Sequence, residues 1–356
     1  MSAQRNMQPI RRTMAFSLAG VLLVAMPHLA QAQWWNSRSP TPPGKAGEPD
    51  NAIRYTPALE EQAAEAIYRA LQEGDFAKLD RMHDEFLEMN RAGGPGKRML
   101  AAFTRALQVG FEGERDTYEK LFTDWRKAAP ESRLRAAAEG MFWWRLAWKA
   151  RGGGYASAIS PEARKTFHED LTHAAKVLED GGARGKESPV WYWAVVSVGG
   201  SIGAPAQSLD RFFNEGATKF PGFMPLYNTR LNFLLPQWGG DYRRADAFIR
   251  AAVMRTQATE GTTLYSDLYT QVLHSYRGDD FFTTTAASWP LMRHAFEEEV
   301  ARGSADLNRY ATVACIAKDR ETTSQLLAVL GDKAALGDGM QGFPAEKCKE
   351  LVQDSK

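Results

Sequence analysis

The feature that most constrains the fold of this chain is the spacing of its apolar residues, which recur every three or four positions in one segment after another. The first stripe is Leu59, Ala63, Ala66, Ile67 and Ala70. It follows Thr56-Pro57, a pair typical of a helix start. A break at Gly74-Asp75 precedes a second stripe, so the spacing predicts two amphipathic helices joined by a tight turn.

The same spacing predicts helices along the rest of the chain, linked by turns rich in Gly, Pro and Asp. Their predicted bounds are 97–109, 114–128, 131–151, 161–179, 189–198, 207–219, 224–234, 242–260, 264–277, 288–301, 305–318 and 321–330. Strand-like alternation of period two is almost absent. A helix, a turn and a second helix in about 34 residues is the repeat unit of tetratricopeptide-type solenoids. The sequence therefore predicts an all-α fold, a tetratricopeptide-like helical-hairpin solenoid or α-α superhelix.

The first 32 residues have the order of a cleavable secretory signal. Arg11 and Arg12 precede an apolar run at 15–26, and a small-x-small sequence ends at Ala32. A helix of this length is too short to span about 30 Å of hydrocarbon. We therefore expect cleavage after Ala32 and a periplasmic or secreted protein with no stable membrane span.

The mature chain divides into three parts by composition. Residues 33–56 contain four prolines and little to bury, which predicts a Pro-rich linker. Residues 57–345 form the predicted helical-repeat domain, and 346–356 a C-terminal tail. The full 356 residues contain 44 basic and 43 acidic side chains, a formal net charge of +1, and removal of Arg5, Arg11 and Arg12 with the signal would leave 41 basic and 43 acidic side chains. This balance gives no electrostatic footprint for nucleic acid.

Cys315 and Cys348 are the two cysteines of the chain. In an oxidising compartment such a pair tends to close into a disulfide, which here would tether the tail to the last hairpin. The alternative is a buried free thiol at Cys315 with Cys348 loose on the tail.

Two stretches, Ala-Arg-Gly-Gly-Gly-Tyr-Ala at 150–156 and Leu-Pro-Gln-Trp-Gly-Gly at 235–240, resemble signatures of a bacterial domain-of-unknown-function family. Members of that family are similar to tetratricopeptide-type domains, so the resemblance implies a helical-repeat fold. It brings no catalytic residues to this chain. The residues that we single out, as a binding or a structural motif, are Arg151, Gly153, Tyr155, Trp238, Gly239 and Gly240. A packing role is favoured, because glycines allow a helix to end and the chain to cross closely.

Gly-Gly-Ser-Ile-Gly at 199–203 satisfies the G-x-S-x-G pattern of a serine nucleophile, with His274 and His294 as bases later in the chain. That motif requires a preceding strand in an α/β sheet. An all-helical series instead predicts that Ser201 lies near the end of a buried helix.

His168 and His173 resemble the zinc motif H-E-x-x-H with one residue too many. Five residues turn a helix through about 500°, which points the two rings in different directions. The sequence predicts no metal, no cofactor and no catalytic constellation.

Tryptophans concentrate in two predicted helices. Trp144 and Trp148 belong to a helical stripe in the first helix, with Trp143 on another face, and Trp191 and Trp193 lie in the second. Such stripes are more often core than binding surface, because aromatic residues dominate core energetics. An exposed ring would suit a peptide or a glycan. The acidic run 297–299 is interpreted as a solvated face.

Together these features predict an exported, non-enzymatic helical-repeat protein that binds a protein or peptide in the cell envelope. A scaffold, a chaperone and an immunity-type partner of a toxin are equally compatible with the sequence. Two alternatives remain open at this point. One is a serine hydrolase using Ser201, and the other is a glycan-binding module using Trp143, Trp191 or Trp193.

Overall fold

The computed structural model of the protein describes residues 57–93, 96–111, 114–153, 159–276, 280–302, 305–337 and 345–353. Within these ranges the regular structure consists of 17 α-helices and two short 3₁₀ helices, without any strand. The prediction of an all-α fold is confirmed. The predicted signal segment, 1–32, and the predicted linker, 33–56, lie outside the described residues.

The α-helices follow one another along the whole described chain. In order they are α1 (Pro57–Glu73), α2 (Phe76–Ala92), α3 (Ala101–Val109), α4 (Arg115–Ala128), α5 (Arg135–Arg151), α6 (Pro161–Asp180), α7 (Gly182–Gly185), α8 (Pro189–Ile202), α9 (Ala206–Lys219), α10 (Met224–Asn232), α11 (Tyr242–Glu260), α12 (Thr263–Ser275), α13 (Phe281–Thr284), α14 (Trp289–Ala301), α15 (Leu307–Ile316), α16 (Arg320–Leu330) and α17 (Ala345–Gln353). The 3₁₀ helices are Pro236–Trp238 and Gly331–Lys333.

Short polar side chains cap several helix starts. The carboxylate of Asp75 accepts a hydrogen bond from the backbone N–H of Lys78 at the start of α2, over 3.0 Å. Asp241 does the same for the N–H of Arg244 at the start of α11, over 2.8 Å. Each cap pairs a donor that a helix start otherwise leaves unsatisfied. The Gly-Asp turns at 74–75 and 240–241 are therefore helix boundaries, and α11 begins and ends where the spacing predicts.

Several boundaries differ from the prediction, among them the start of α3, at Ala101 and not at 97, and the end of α8, at Ile202 and not at 198. The helix predicted at 131–151 begins at Arg135, because the Ser132 hydroxyl accepts the N–H of Arg135 over 3.1 Å and starts the helix there. At the other end of the chain, α17 occupies the described part of the predicted tail. The one-turn helices α7 and α13 have no clear periodic signal in the sequence.

Most helices pack against their neighbours in the sequence. Helix α5 lies along α6, α8 against α9, α11 against α12, and α15 against α16. Helix α5 also contacts α3, α4, α7 and α8, so it is the central element of the N-terminal half. All residues from Ala136 to Trp143 are buried. A ring cluster surrounds this helix, in which Phe142 lies 5.2 Å from Tyr118 and 5.6 Å from Phe122 between ring centroids.

Two glycines allow α5 and α6 to approach closely. A Cβ atom on Gly140 would lie 2.7 Å from Cγ of Leu178, and one on Gly181 would lie 2.2 Å from Cβ of Ala136. Real Cβ atoms do not come so near to other carbon atoms, so any larger side chain would separate the helices. The distance between α5 and α6 therefore depends on the absence of these two side chains.

A disulfide joins two helices near the C-terminal end of the described chain. Cys315 in α15 and Cys348 in α17 form a disulfide, with their Cα atoms 5.5 Å apart. Both residues are buried, and α17 packs on α15 and α16. The cysteine pair expected from the predicted compartment is thus present at bonding distance. None of the described helices is both long and apolar enough to cross a membrane.

We predict that Gly140→Val destabilises the protein by about 2 to 3 kcal/mol, because overpacking a close helix contact forces the neighbours apart. Gly153→Val is the control. Gly153 is exposed with no atom within 4 Å of its Cβ position. Gly153→Val should therefore change the free energy of unfolding by less than about 0.5 kcal/mol. Urea unfolding of the two variants and the parent protein measures both values. Equal stabilities would contradict the role of Gly140.

We predict that the double variant Cys315→Ser, Cys348→Ser loses about 3 to 4 kcal/mol of unfolding free energy. The disulfide closes a loop over a sequence separation of 33 residues and so restricts the unfolded chain. Urea unfolding with and without reductant provides the measurement. Reductant should lower the midpoint of the parent protein to that of the double variant and leave the double variant unchanged. If complete reduction left the unfolding midpoint of the parent protein unchanged, the disulfide would not contribute to its stability.

Candidate functional site

A cavity of about 650 Å³ opens between α4, α5 and α6, and we call it the α4–α6 groove. Each helix contributes one stripe of residues spaced by three or four positions, so the groove is built from one face of each helix. Its lining residues are Glu119, Phe122, Thr123 and Arg126 from α4, Arg135, Glu139 and Trp143 from α5, and His173, Lys176, Val177 and Asp180 from α6, with Gly181 after it. The volume is in the range of sites that hold small ligands or short peptide segments.

Trp143 borders the groove with a small part of its indole, since the residue is 6% exposed. The imidazole of His173 lies against its ring, with 3.9 Å between the ring centroids. The Arg115 guanidinium lies 4.8 Å from the ring centroid, at a distance typical of a cation–π contact. Arg115 is held in turn by a 2.8 Å ion pair with the buried carboxylate of Asp170. These contacts connect the start of α4 to α6 and fix the indole between them.

A buried carboxylate shared by two arginines lies beside this indole. Glu139 is 5% exposed and accepts hydrogen bonds from Arg126, at 2.9 and 3.1 Å, and from Arg135, at 2.9 Å. The Arg135 side chain is 14% exposed, and its Nε atom is buried without a hydrogen-bond partner. Burial lowers the pKa of Arg135, and the opposing charge of Glu139 counteracts this effect. The Nε–H is therefore enclosed by the protein as well as unpaired, and the carboxylate of Asp80 is a further negative charge that acts on this guanidinium.

The remaining charges of the lining are solvent-exposed. Lys176 pairs with Asp180 one turn further along α6, over 2.5 Å, and Glu119 lies on the exposed side of α4. The lining thus contains three basic and three acidic side chains in all. A balanced set of this kind does not attract one sign of charge over long distances, so recognition would depend on individual contacts.

The two signature stretches come together away from this groove. The guanidinium of Arg151 lies 5.1 Å from the ring centroid of Trp148, and Trp148 meets Trp238 edge to face at 6.0 Å. Trp238 also contacts Phe233, with their ring centroids 5.0 Å apart. The cluster packs the end of α5 against the turn after α10. Tyr155 lies outside the described residues.

The glycines of the second stretch serve backbone geometry. Gly239 has a φ of +81°, in the left-handed region that favours glycine. A Cβ on Gly240 would lie 1.9 Å from the carbonyl oxygen of Leu234. By contrast, Gly153 is exposed and has no atoms near its Cβ position. These contacts favour the structural interpretation of the motif over the binding one.

Ser201 lies in the last turn of α8, so the segment before it is a helix where a nucleophile elbow needs a strand. Its hydroxyl donates to the carbonyl oxygen of Ser197 over 2.8 Å and accepts the indole N–H of Trp144 over 2.8 Å. Both contacts are those of a packed helix terminus. They do not favour the interpretation of Ser201 as a nucleophile.

A second serine has the connectivity of a catalytic triad, which the sequence did not reveal. His83 Nε2 lies 2.7 Å from the Ser188 hydroxyl, and His83 Nδ1 lies 3.1 Å from a carboxylate oxygen of Asp84. Ser188 is completely buried, and its hydroxyl also accepts the N–H of Val190 as the cap of α8. Since a nucleophile must be reached by its substrate, this arrangement is a helix cap joined to α2.

The tryptophans named for glycan binding are largely buried. Trp191 and Trp193 are at most 2% exposed, and Trp191 donates its indole N–H to the carbonyl oxygen of Leu178 over 3.0 Å. Trp143 is buried too, apart from its edge in the groove.

His168 and His173 are both exposed on α6, and only His173 lines the groove.

The acidic run 297–299 is not a uniformly solvated face, and that prediction is wrong for Glu299. This side chain is buried and accepts hydrogen bonds from the Ser266 hydroxyl, over 2.6 Å, and from Arg309, over 2.5 Å. Arg309 also pairs with Asp267 over 2.5 Å. The reason is the position of α14, which presents one face to α12 and α15. We call these groups the Arg309 network, and it joins three helices.

Comparison with known proteins gives one partial match. The model of a family described as a domain of unknown function (DUF4034) matches residues 64–171. The matched segment includes the lining of the groove from α4 and α5 but stops before the residues from the end of α6. It contains the first signature stretch and not the second. No curated protein and no solved structure matches the chain.

We predict that Arg309→Met destabilises the protein by about 3 kcal/mol at pH 7, because it leaves a buried carboxylate without its counter-charge. Burial, and secondly the charge of Asp267, raise the pKa of Glu299, and Arg309 opposes this rise. Removing Arg309 therefore raises that pKa further. A carboxyl group whose pKa is raised by folding destabilises the folded state once the pH rises above the pKa of the unfolded chain, about 4.3. Below that pH the group is protonated in both states and this loss is absent.

The loss of unfolding free energy caused by Arg309→Met should consequently be greater at pH 7 than at pH 5. Urea unfolding at both pH values gives the comparison. Arg293→Met is the control, because Arg293 is exposed and pairs with Glu297 and Asp319 only at 3.5 to 3.6 Å. That variant should lose less than about 1 kcal/mol. A pH-independent loss in Arg309→Met would show that Glu299 does not respond to Arg309.

Proposed function

We propose that the protein is an exported, non-enzymatic, tetratricopeptide-like repeat protein that binds a peptide segment of another protein in the cell envelope. The observation that carries this proposal is the α4–α6 groove. It places the edge of a fixed indole ring beside exposed polar and charged side chains from α4 and α6. A concave site with some apolar surface and a few placed polar groups is a common form of binding site.

Export is supported by two independent features. The first 32 residues have the order of a secretory signal, and the two cysteines lie at disulfide distance. Disulfides persist mainly in oxidising compartments such as the periplasm and the extracellular space.

The repeat architecture is supported by the packing of most helices on their sequence neighbours. Stacked helical hairpins contact mainly adjacent repeats and leave an extended surface for a partner. A scaffold, a chaperone and an immunity-type partner would all use such a surface, and each is a form of this proposed function. The near-neutral charge supports a protein or peptide partner over a nucleic acid.

The two alternatives receive less support from the geometry. The Ser201 hydroxyl is engaged at a helix end, where a hydrolase would need it free and next to a base. A glycan-binding module needs an exposed ring face, whereas Trp191 and Trp193 are in the core.

We predict that a photo-crosslinking amino acid at Thr123, an exposed position of the groove, captures a specific envelope protein. The same group at Met254, which is 71% exposed and remote in sequence, is the control and should not capture it. The captured protein is then purified and its affinity for the full chain is measured directly. Thr123→Trp, which fills the groove, should weaken that affinity at least about tenfold.

Met254→Trp should leave the affinity unchanged, since it adds the same side chain elsewhere. Equal capture at the two positions, or an affinity insensitive to Thr123→Trp, would refute the groove as the binding site. Circular dichroism and urea unfolding of both variants confirm that the fold is retained.

A further inference from the structure

The outer face of α11 presents a regular apolar pattern to solvent. The opposite face, around Ile249, is buried and packs on α10 and α12. On the outer face, exposed apolar residues recur at intervals of four, three and four positions, and they are Ala247, Ala251, Met254 and Ala258. This is the spacing of the d and a positions of a heptad repeat, through which one helix packs along another. We call these four residues the α11 seam.

Exposed arginines border the seam on both sides. In the heptad that the seam defines, Arg243 and Arg250 occupy g positions and Arg255 occupies an e position. Arg244 stands at the first a position. In paired helices the e and g side chains lie next to those of the partner, so their charges select which helix can bind.

The acidic side chains of α11 neutralise only part of this charge. Asp246, at a c position away from the seam, pairs with Arg250 over 2.9 Å. Asp241, before the first turn, lies 3.5 Å from Arg244. The third acid, Glu260, is buried and pairs with a lysine before α3.

The other two arginines of the seam have no carboxylate partner among the described residues. Arg255 donates to the neutral amide oxygen of Asn214 on α9 over 2.8 Å, and Arg243 forms no ion pair there. The acids of α9 itself, Asp210 and Glu215, already pair with basic side chains. The face therefore combines an exposed apolar seam with two arginines whose charge is available to a partner.

We propose that the α11 seam binds an amphipathic helix of a partner protein, with large apolar residues at its a and d positions and acidic residues at e and g. The three alanines leave room for large side chains to approach, and Met254 adapts its shape to them. The acidic residues pair with Arg243 and Arg255. This surface goes beyond the proposed function, because it lies on another helix than the α4–α6 groove and takes a different partner.

Two other occupants fit the face less well. A second copy of the chain packed seam to seam would place arginines opposite arginines, and like charges at these positions oppose pairing. Binding in a membrane interface uses a broad face of large apolar residues. Met254, at 71%, is the one exposed large apolar side chain on α11.

Three fluorescein-labelled, three-heptad peptides test the proposal. The acidic peptide has Leu at a and d and Glu at e and g, and the basic peptide has Lys in place of each Glu. The third peptide is the acidic sequence scrambled, with the same composition and charge but no heptad. Binding to the full chain is measured by fluorescence anisotropy at fixed ionic strength. We expect the acidic heptad peptide to bind about tenfold or more tightly than the other two.

Two pairs of variants locate the binding to the seam. Met254→Gln removes the apolar contact without changing charge and should weaken binding of the acidic peptide about fivefold. Val329→Gln, at a residue 72% exposed on α16, is its control and should have no effect. Arg243→Glu should weaken binding at least about fivefold, whereas Arg81→Glu, the same change at an exposed position of α2, should change it less than about twofold.

Equal binding of the scrambled peptide, no binding of the acidic peptide, or equal effects of variant and control would each overturn the inference. Sedimentation with phosphatidylglycerol vesicles that is lost in Arg243→Glu would assign the face to a membrane instead. Self-association of the full chain that is lost in Met254→Gln would assign it to a second copy. Because the groove takes a different partner, a crosslinker at Met254 is still expected not to capture the protein captured from Thr123.

Discussion

The close contact between α5 and α6 determines most of the N-terminal half of this protein. Gly140 and Gly181 lack the side chains that would hold these helices apart, and Leu178 and Ala136 occupy the space instead. With the two axes close, one face of α5 forms core with α3 and α8 while its next face meets α4. The groove lies between this pair and α4, and Gly181 is part of its lining.

Buried charge follows one rule throughout the structure. Glu139, Asp170, Glu260 and Glu299 are all buried carboxylates, and each pairs with an arginine or lysine from another helix or turn. Desolvating such pairs costs about as much as their attraction returns, so they add little net stability. Any other arrangement of the helices would leave a buried charge unpaired, so these pairs favour the observed arrangement. Glu139 differs from the other three in that two arginines, Arg126 and Arg135, share it.

The helices themselves could be predicted from the sequence, since apolar spacing and Gly-Asp turns are local signals. The burial of Trp191 and Trp193 likewise follows from aromatic stripes at helical spacing. The burial of Glu299 could not be predicted in this way. A run of three glutamates resembles a solvated face as long as its pairing with Arg309 from α15 is not known. The same applies to the groove, whose lining residues resemble ordinary surface charges on three separate helices. His83 and Ser188 are 105 positions apart, and no local pattern joins them.

The two sets of aromatic residues have different consequences for binding. Trp148 and Trp238 pack edge to face with each other and are half-buried, and this contact fixes a chain crossing. Trp143 is more deeply buried, at 6% exposure, and the polar groups of Arg115 and His173 hold its ring where a small part of it borders the groove. A ring fixed in this way loses little conformational entropy when a ligand binds, which favours affinity for a given contact area. The distinctive signatures of the sequence thus serve the fold, whereas the groove depends on charged residues that no short motif contains.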